Sequence, residues 1–360
     1  MSIRAEVIVV THGGPSIGGG HVSRCSALAA GFAAFGAPVR FLVNGAAAEM
    51  LTGAGAVKVD ESSRDEPRCL EACAENSAEP ERTKVGGISL TVIEDPFGEG
   101  AGRVATEVAA RGAGLCVVDS YDATPALLRE IRGACRLALV DDCRARPVEF
   151  ECDALLNYNL NAASVGYRRG HAELLLGPEY ALLRSDFWSL SPEEGADLLV
   201  VPGASDMLNT LGRLVEWWGE DWPRVQMVAG PLVPSAVFAS LRESAEGRGN
   251  VSLVRAPGDL PARMARARAV ICTSSVTSYE ALALRKPLIV FQTADNQAEI
   301  GRKIARCGLG ANLGEWGSWG REELLAVVRN LPSAPGPSVC PRGARNAAAA
   351  LLRAPGGRGS

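Results

Sequence analysis

Short apolar, β-branched runs alternate along this chain with stretches whose apolar positions recur every three or four residues. The runs AEVIVV (5–10), VRFLV (39–43), LCVVDS (115–120), LALVDD (137–142) and ALLNY (154–158) predict a first series of strands. Several are apolar almost throughout, as strands covered on both faces should be. Between the first two, Val22, Cys25, Ala29 and Phe32 fall at helical spacing and predict a helix with one buried face. A second series starts near residue 197 with DLLVVPGA, VQMVAG, VSLVRAP, AVICTSS and PLIVFQTA, each leading into a helical pattern. Such alternation predicts an α/β protein with parallel sheets.

The two series are joined once, through LLRSDFWSLSPEEGAD, which predicts two doubly wound, Rossmann-like domains facing a cleft. The expected division is 1–190, 191–340, and a 341–360 end in which Ala347–Leu352 forms a last helix before the frayed APGGRGS. The polar, irregular segment 60–96 reads as a peripheral insertion on the first domain. Ligands of such sheets bind outside the carboxyl ends of the strands.

At 360 residues the chain suits two domains of average size. Hydrophobic residues at 47% and charged residues at 22% give the composition of soluble globular proteins. The formal net charge of −4, with both signs mixed along the chain, offers nucleic acid no basic surface. No apolar run approaches the ~20 residues that span a bilayer. The start, MSIRAEVIVVTHGG, has too short an apolar core for a signal peptide, so the expected location is cytoplasmic. The ten cysteines then read as reduced thiols. Cys69 and Cys73, in CLEAC, stand at helical i, i+4 spacing, but no second ligand pair follows at a zinc-like distance. Neither a metal nor a cofactor is expected.

Candidate chemistry lies in the loops. Strand 5–10 leads through glycines into the helix near Val22, in IGGGHVSRCSALA (17–29). Glycines bring backbone close to a ligand, and the helix N-terminus offers unpaired N–H groups to an anion. Ser23 stands where a dinucleotide fold has its third glycine, and no GKS or GKT follows. GPSIG (14–18) formally matches the GxSxG nucleophile elbow, with HGG just before it. In that fold the two features sit on separate loops in the order Ser, acid, His, whereas here they overlap and the only later histidine is His171. His21 closes the glycine loop. It suits either a helix-start residue bonded to nearby backbone or a general base, and position alone leaves both open.

The second domain contributes three such loops. In VPGASDMLNT (201–210), Ser205 or Asp206 can cap the following helix, a role compatible with ligand binding. In TSSVTSYEALALRKP (273–287) small hydroxyls open a helix, as a phosphate site requires. Glu280, one turn in, suits a ribose diol or a solvated helix face. In FQTADNQAEI (291–300), Asp295, Asn296 and Gln297 exceed what capping needs.

Taken together these residues resemble a known family. IGGGHVSRCSALA is similar to the IGxGHVxRCxxLA signature of UDP-2,4-diacetamido-2,4,6-trideoxy-β-L-altropyranose hydrolase, of pseudaminic acid biosynthesis, to which spore-coat polysaccharide proteins are related. Matching segments follow in the same order: VVDSYDA (117–123), VDDCRARPVEFECDALLNYN (140–159), LLGPEYALLRSDF (175–187), PGASDMLN (202–209), VTSYEALALRKPLIV (276–290) and ADNQAEI (294–300). The resemblance implies the GT-B fold of glycosyltransferases, as a self-sufficient monomer. It further implies a metal-independent hydrolase that releases UDP from a UDP-linked deoxy-amino sugar by inverting attack of water at the anomeric carbon.

On that resemblance His21 is the general base and Asn296 lies beside the sugar, with Gly18, Gly20, Arg24, Tyr121 and Gln297 also lining the substrate. Gly203, Ser205, Asp206, Ser274, Ser275 and Thr277 would hold the diphosphate, Glu280 the ribose, and the loop around Met264 would flank the uracil. The absence of a DxD triplet agrees with helix ends, not a metal, neutralising the leaving UDP. The chain departs from the family where His12 replaces an aspartate expected to orient the imidazole or touch the sugar. It departs again where Ser274 and Ser275 replace glycines. The alternatives are a GT-B glycosyltransferase, with an acceptor hydroxyl in place of water, and a nucleotide-sugar-binding protein without turnover.

Overall fold

The computed structural model describes residues 5–14, 17–53, 58–59, 87–142, 144, 147–168, 170–206 and 208–353. Its first half runs β1 (Val7–Thr11), α1 (Gly20–Ala33), β2 (Val39–Val43), α2 (Gly45–Gly53), β3 (Lys58–Val59), β4 (Ile88–Val92), α3 (Ala101–Ala110) and β5 (Leu115–Asp119). It continues with α4 (Pro125–Ala134), β6 (Arg136–Val140), β7 (Ala154–Asn157) and β8 (Glu173–Leu176). The second half begins β9 (Leu198–Val201), α5 (Thr210–Trp217), β10 (Val225–Ala229), α6 (Ser235–Ala245), β11 (Val251–Arg255), α7 (Leu260–Arg266) and β12 (Ala269–Thr273). It closes with α8 (Val276–Ala283), β13 (Leu288–Gln292), α9 (Ala298–Arg306), β14 (Ala311–Glu315), α10 (Arg321–Arg329) and α11 (Gly343–Leu352).

Among the described residues the strands form two parallel sheets, in the orders β3-β4-β2-β1-β5-β6-β7-β8 and β11-β10-β9-β12-β13-β14. The first order turns at β4 and again at β1, and the second turns once, at β9. In the first sheet β1 pairs with β2 on one side and β5 on the other. In the second, β9 pairs with β10 and β12. At such switch points the following loops part and leave a crevice. The loops after β1 and β5, and those after β9 and β12, therefore open toward ligand space.

The central strands are wholly buried, with Ile8, Val9 and Val10 at 0% exposure. One apolar cluster runs through both halves, joining Val9 and Phe41 to Tyr158, Met264, Tyr279 and Leu284. Tyr158 meets Tyr279 edge-on at 5.4 Å, and the Leu160 N–H donates to the Tyr279 hydroxyl at 3.0 Å. α11 returns to the first half and lies against α1. A Cβ added at Gly31 of α1 would stand 2.4 Å from the Ala344 carbonyl oxygen.

β4 and β14 carry no continuous apolar signature, and the three leucines of β8 (ELLL) make too short a run to announce a strand. β4 (ISLTV) pairs with β2 inside the first sheet, so the segment 60–96 is not wholly peripheral. Its polar Ser89 and Thr91 interrupt the pattern that marks its neighbours. β8 and β14 are edge strands with largely half-exposed side chains, which relaxes the demand for apolar residues. Residues 60–86, with Cys69 and Cys73, and the tail 354–360 lie outside the described residues. So does Ser16 of the GPSIG match. Among the described residues no helix is long and apolar enough to cross a membrane.

Candidate active site

The site is built from strand ends. β1 delivers Thr11 and His12, β5 delivers Asp119, and β6 leads to Asp142. Gly14 and Gly18 pair across the loop after β1, with Gly18 at φ +82°, a conformation open to glycine and strained for other residues. α1 then starts at Gly20, and its N-cap, Gly19, has no side chain to satisfy the first-turn N–H groups. That end approaches the second half, since a Cβ at Gly19 would stand 3.4 Å from the Ala204 Cβ.

In this first turn His21 is 6% exposed, and its Nδ1 lies 2.7 Å from Asp119 Oδ1. Asp119 is fully buried. Arg24, one turn along α1, donates to it twice, Nε to Oδ2 and Nη2 to Oδ1, both at 2.6 Å. The Cys25 thiol adds a contact to Oδ2 at 3.4 Å. Burial alone would push the Asp119 carboxyl up, but Arg24 and His21 together outweigh it and hold the group well below the usual carboxylate range. Arg24 Nη2 also lies 3.2 Å from His21 Nδ1. A guanidinium only donates, and an ionised carboxylate only accepts, so the Nδ1 contact with Asp119 requires a proton on Nδ1. Nε2 is then the free basic nitrogen.

Around this pair stand Asp142, Tyr121 and Asn296. Arg24 Nη1 donates to Asp142 Oδ2 at 2.7 Å, and the Tyr121 hydroxyl donates to Asp142 Oδ1 at 2.6 Å. Burial and the Asp142 charge push the Tyr121 phenol up, so it stays a neutral donor. Its ring meets His21 edge-on at 4.9 Å. From the second half, Asn296 Nδ2 donates to the Tyr121 hydroxyl at 3.2 Å.

His12, in place of the expected aspartate, does not orient His21. That task falls to Asp119. His12 Nε2 lies 3.0 Å from Ser120 Oγ, its ring packs edge-on against Phe97 at 4.8 Å, and the two imidazoles stand 6.0 Å apart. Burial first, then His21, hold its pKa below 6.5.

The structure brings Gly18, Gly20, His21, Tyr121 and Asn296 to the same end of the sheets and places the other expected residues as follows. Arg24, expected to line the substrate, is 5% exposed and committed to two carboxylates. Met264 itself is fully buried in α7 within the shared core, so only the loop around it is open to a base. Ser274 is buried with its hydroxyl on the Phe291 carbonyl, leaving Ser275 and Thr277 as the part-exposed hydroxyls at the α8 start. Ser275 Oγ meets Thr273 Oγ1 at 2.9 Å. Glu280 is 3% exposed, which rules out a solvated helix face, and Arg184 Nε donates to its Oε1 at 3.0 Å. Asp206 caps α5, accepting from the Thr210 and Leu211 N–H groups at 2.8 and 3.1 Å, while Ser205 stays half-exposed beside it. Gln297 Oε1 accepts from the Thr293 N–H and so braces its own loop. Gly203, at φ +137°, faces open space.

Sequence reasoning missed Asp119 and Asp142 as site residues. Both end apolar strand runs, LCVVD and LALVDD, and a carboxylate closing such a run was the available signal. A cavity of about 310 Å³ lies at the carboxyl ends of β13 and β14, lined by Leu208, Thr293, Asp295 and Trp316 next to Asn296. A larger one of about 940 Å³ opens at the opposite, amino-terminal end of the first sheet, beside His171 and Glu173, away from these groups. Among the described residues no cluster of His, Cys, Asp and Glu could hold a metal ion.

No protein-family model matches the sequence, and no curated protein matches it. Solved structures do. The chain is similar to MurG of Acinetobacter baumannii, at 11% identity over 97% of this chain and 98% of that one, TM-score 0.58. It is similar to the kitacinnamycin glycotransferase, at 13% identity over 97% and 96%, TM-score 0.57. A third likeness is to LpCGTa, solved in complex with UDP, at 14% identity over 97% and 93%, TM-score 0.56. At these identities the likeness speaks for the fold. Two parallel-sheet domains with paired switch points, matched end to end by these structures, give this chain the GT-B fold.

Proposed function

We propose that the protein is an inverting, nucleotide-sugar-dependent glycosyltransferase in which His21 is the general base. The observation that carries this reading is the His21–Asp119 pair at the start of α1, where Asp119 fixes the Nδ1–H tautomer and Nε2 is left basic. In the step, an acceptor hydroxyl attacks the anomeric carbon of the donor sugar and its proton passes to Nε2. The bond from that carbon to the β-phosphate oxygen breaks, and UDP leaves as the anion. The α8 start, with Ser275 and Thr277, and the loop at Gly203–Asp206 would face the diphosphate. N–H groups there offset its charge without a metal. UDP as the nucleotide is supported by the motif resemblance and by UDP in one structural relative.

A second reading keeps the same groups and replaces the acceptor by water, as in the hydrolases that the ordered motifs resemble. One experiment separates them. Each of a panel of UDP-sugars is incubated with the protein, with and without added acceptor alcohols, and free UDP and sugar products are followed by mass spectrometry. Acceptor-dependent product supports transfer, and UDP plus free sugar in buffer alone supports hydrolysis. His21→Ala should lower either turnover by about 10³-fold or more while UDP affinity by calorimetry stays unchanged. Undiminished turnover in that variant removes His21 as base.

A further inference from the structure

The groups behind His21 form an unbroken polar chain that ends in the other half of the molecule. Asn296 Nδ2 donates to the Tyr121 hydroxyl at 3.2 Å, and that hydroxyl donates to Asp142 Oδ1 at 2.6 Å. Asp142 Oδ2 accepts from Arg24 Nη1 at 2.7 Å, and Arg24 grips both Asp119 oxygens at 2.6 Å. Asp119 holds His21 Nδ1 at 2.7 Å. Simple orientation of His21 needs Asp119 alone. The added members, two of them charged, require another account.

We infer that Tyr121, Asp142 and Arg24 are positioning residues through which Asn296, on the second domain, sets the hydrogen bond between Asp119 and His21. The inference rests on reading His21 as the base, and it concerns what makes that base ready.

The guanidinium is the transmitting part. It is planar and rigid, so Nη1 cannot follow Asp142 without tilting Nε and Nη2 at Asp119. Arg24 is 5% exposed and Asp119 fully buried, and in such surroundings hydrogen-bonded groups polarise one another more than they would in water. Asp119 divides its oxygens between Arg24 and His21. Any strengthening of Arg24 toward Asp142 therefore releases Asp119 toward the imidazole. Tyr121 controls that balance by occupying the far oxygen of Asp142, and Asn296 anchors the Tyr121 hydroxyl from across the cleft. Tyr121 is 44% exposed and Asn296 is exposed, so this end of the chain is free to make or lose its link as the domains move, while the inner end is locked. When the second domain departs, Tyr121 loses the partner that fixes its hydroxyl, and the Asp119–His21 bond is reset.

The test uses the full chain without substrate and reads the ring ¹⁵N resonances of its histidines, three in number. His21→Gln identifies the His21 signals by their absence. Asn296→Ala and Tyr121→Phe alter exposed side chains and spare the core. Asn296→Ala should move the His21 signals, although its residue belongs to the other domain. Tyr121→Phe should move them further in the same direction, and the double variant should coincide with Tyr121→Phe alone. His171, at the far end of the first sheet, should not move. His21 signals unchanged in Asn296→Ala, simple addition in the double variant, or a parallel shift of His171 would each overturn the inference. Because no donor sugar is involved, absence of turnover on UDP-sugars would count against the proposed function and leave this result standing.

Discussion

Asp119 is the residue on which the site turns, because it is the shared acceptor of an imidazole, a guanidinium and a thiol. Asp119→Asn would keep its shape and remove its charge. Its amide could donate to His21 Nδ1 and favour the wrong tautomer, and turnover should fall by about 10³–10⁴-fold. Arg24 would also be left buried with one carboxylate where it had two. Urea unfolding should show a loss of about 3–5 kcal/mol. His12 predicts a pH effect. Burial, then His21, hold its imidazole below 6.5 against the pull of Asp122, Asp119 and Asp95. The folded protein thus binds this proton less readily than the unfolded chain. The stability His12 contributes is complete above pH 6.5 and is lost as pH falls through its lower folded value. In His12→Gln, the decline of unfolding free energy between about pH 7 and pH 5 should be shallower than in the unaltered protein. His21 was legible in the sequence because the glycine loop and helix start are local. Asp119 was not, since its partner lies 98 residues away and only the pairing of β5 with β1 brings them together.

At the scale of elements, α1 both begins the site and seals the first half. Its contact with α11 depends on the missing side chain at Gly31, where a Cβ would meet the Ala344 carbonyl oxygen at 2.4 Å and its carbon at 2.9 Å. Backbone cannot swing aside as a flexible side chain can. Gly31→Ala should therefore destabilise by about 1–3 kcal/mol, despite alanine's better helix propensity. Gly133, exposed near the end of α4 with open space around it, supplies the control. Gly133→Ala should be neutral or stabilise by up to about 1 kcal/mol. Chemical denaturation of the two variants decides both. Most strands read from the sequence have side chains covered on both faces, and the half-exposed edge strand β11 was announced by its VSLV run. β14 escaped because an edge strand needs no apolar run, β8 because its three leucines make too short a run, and β4 because Ser89 and Thr91 break its pattern.

Across the whole molecule, the two series of strands and their single linker were plain in the sequence, and the return of α11 was not. An alanine-rich apolar stretch announces a helix without naming its partner. In the structure that partner is α1, and Arg136 secures the arrangement by donating to the Leu351 carbonyl at 2.5 Å. A fragment of residues 1–190 should consequently lack a cooperative urea transition, and fusing residues 338–353 to it through a flexible linker should restore one. Comparable transitions with and without the added segment would show that α11 is dispensable.

The position of α11 also orders events during synthesis. The segment that completes the core around α1 leaves the ribosome only after every strand of the second sheet. Multidomain chains commonly fold their N-terminal domain first, as it emerges. On this order the half that bears His21 would be completed after the other, with the face of α1 around Gly31 uncovered in the interval. A nascent chain halted before residue 343 should therefore carry an assembled second half and an unfinished first half.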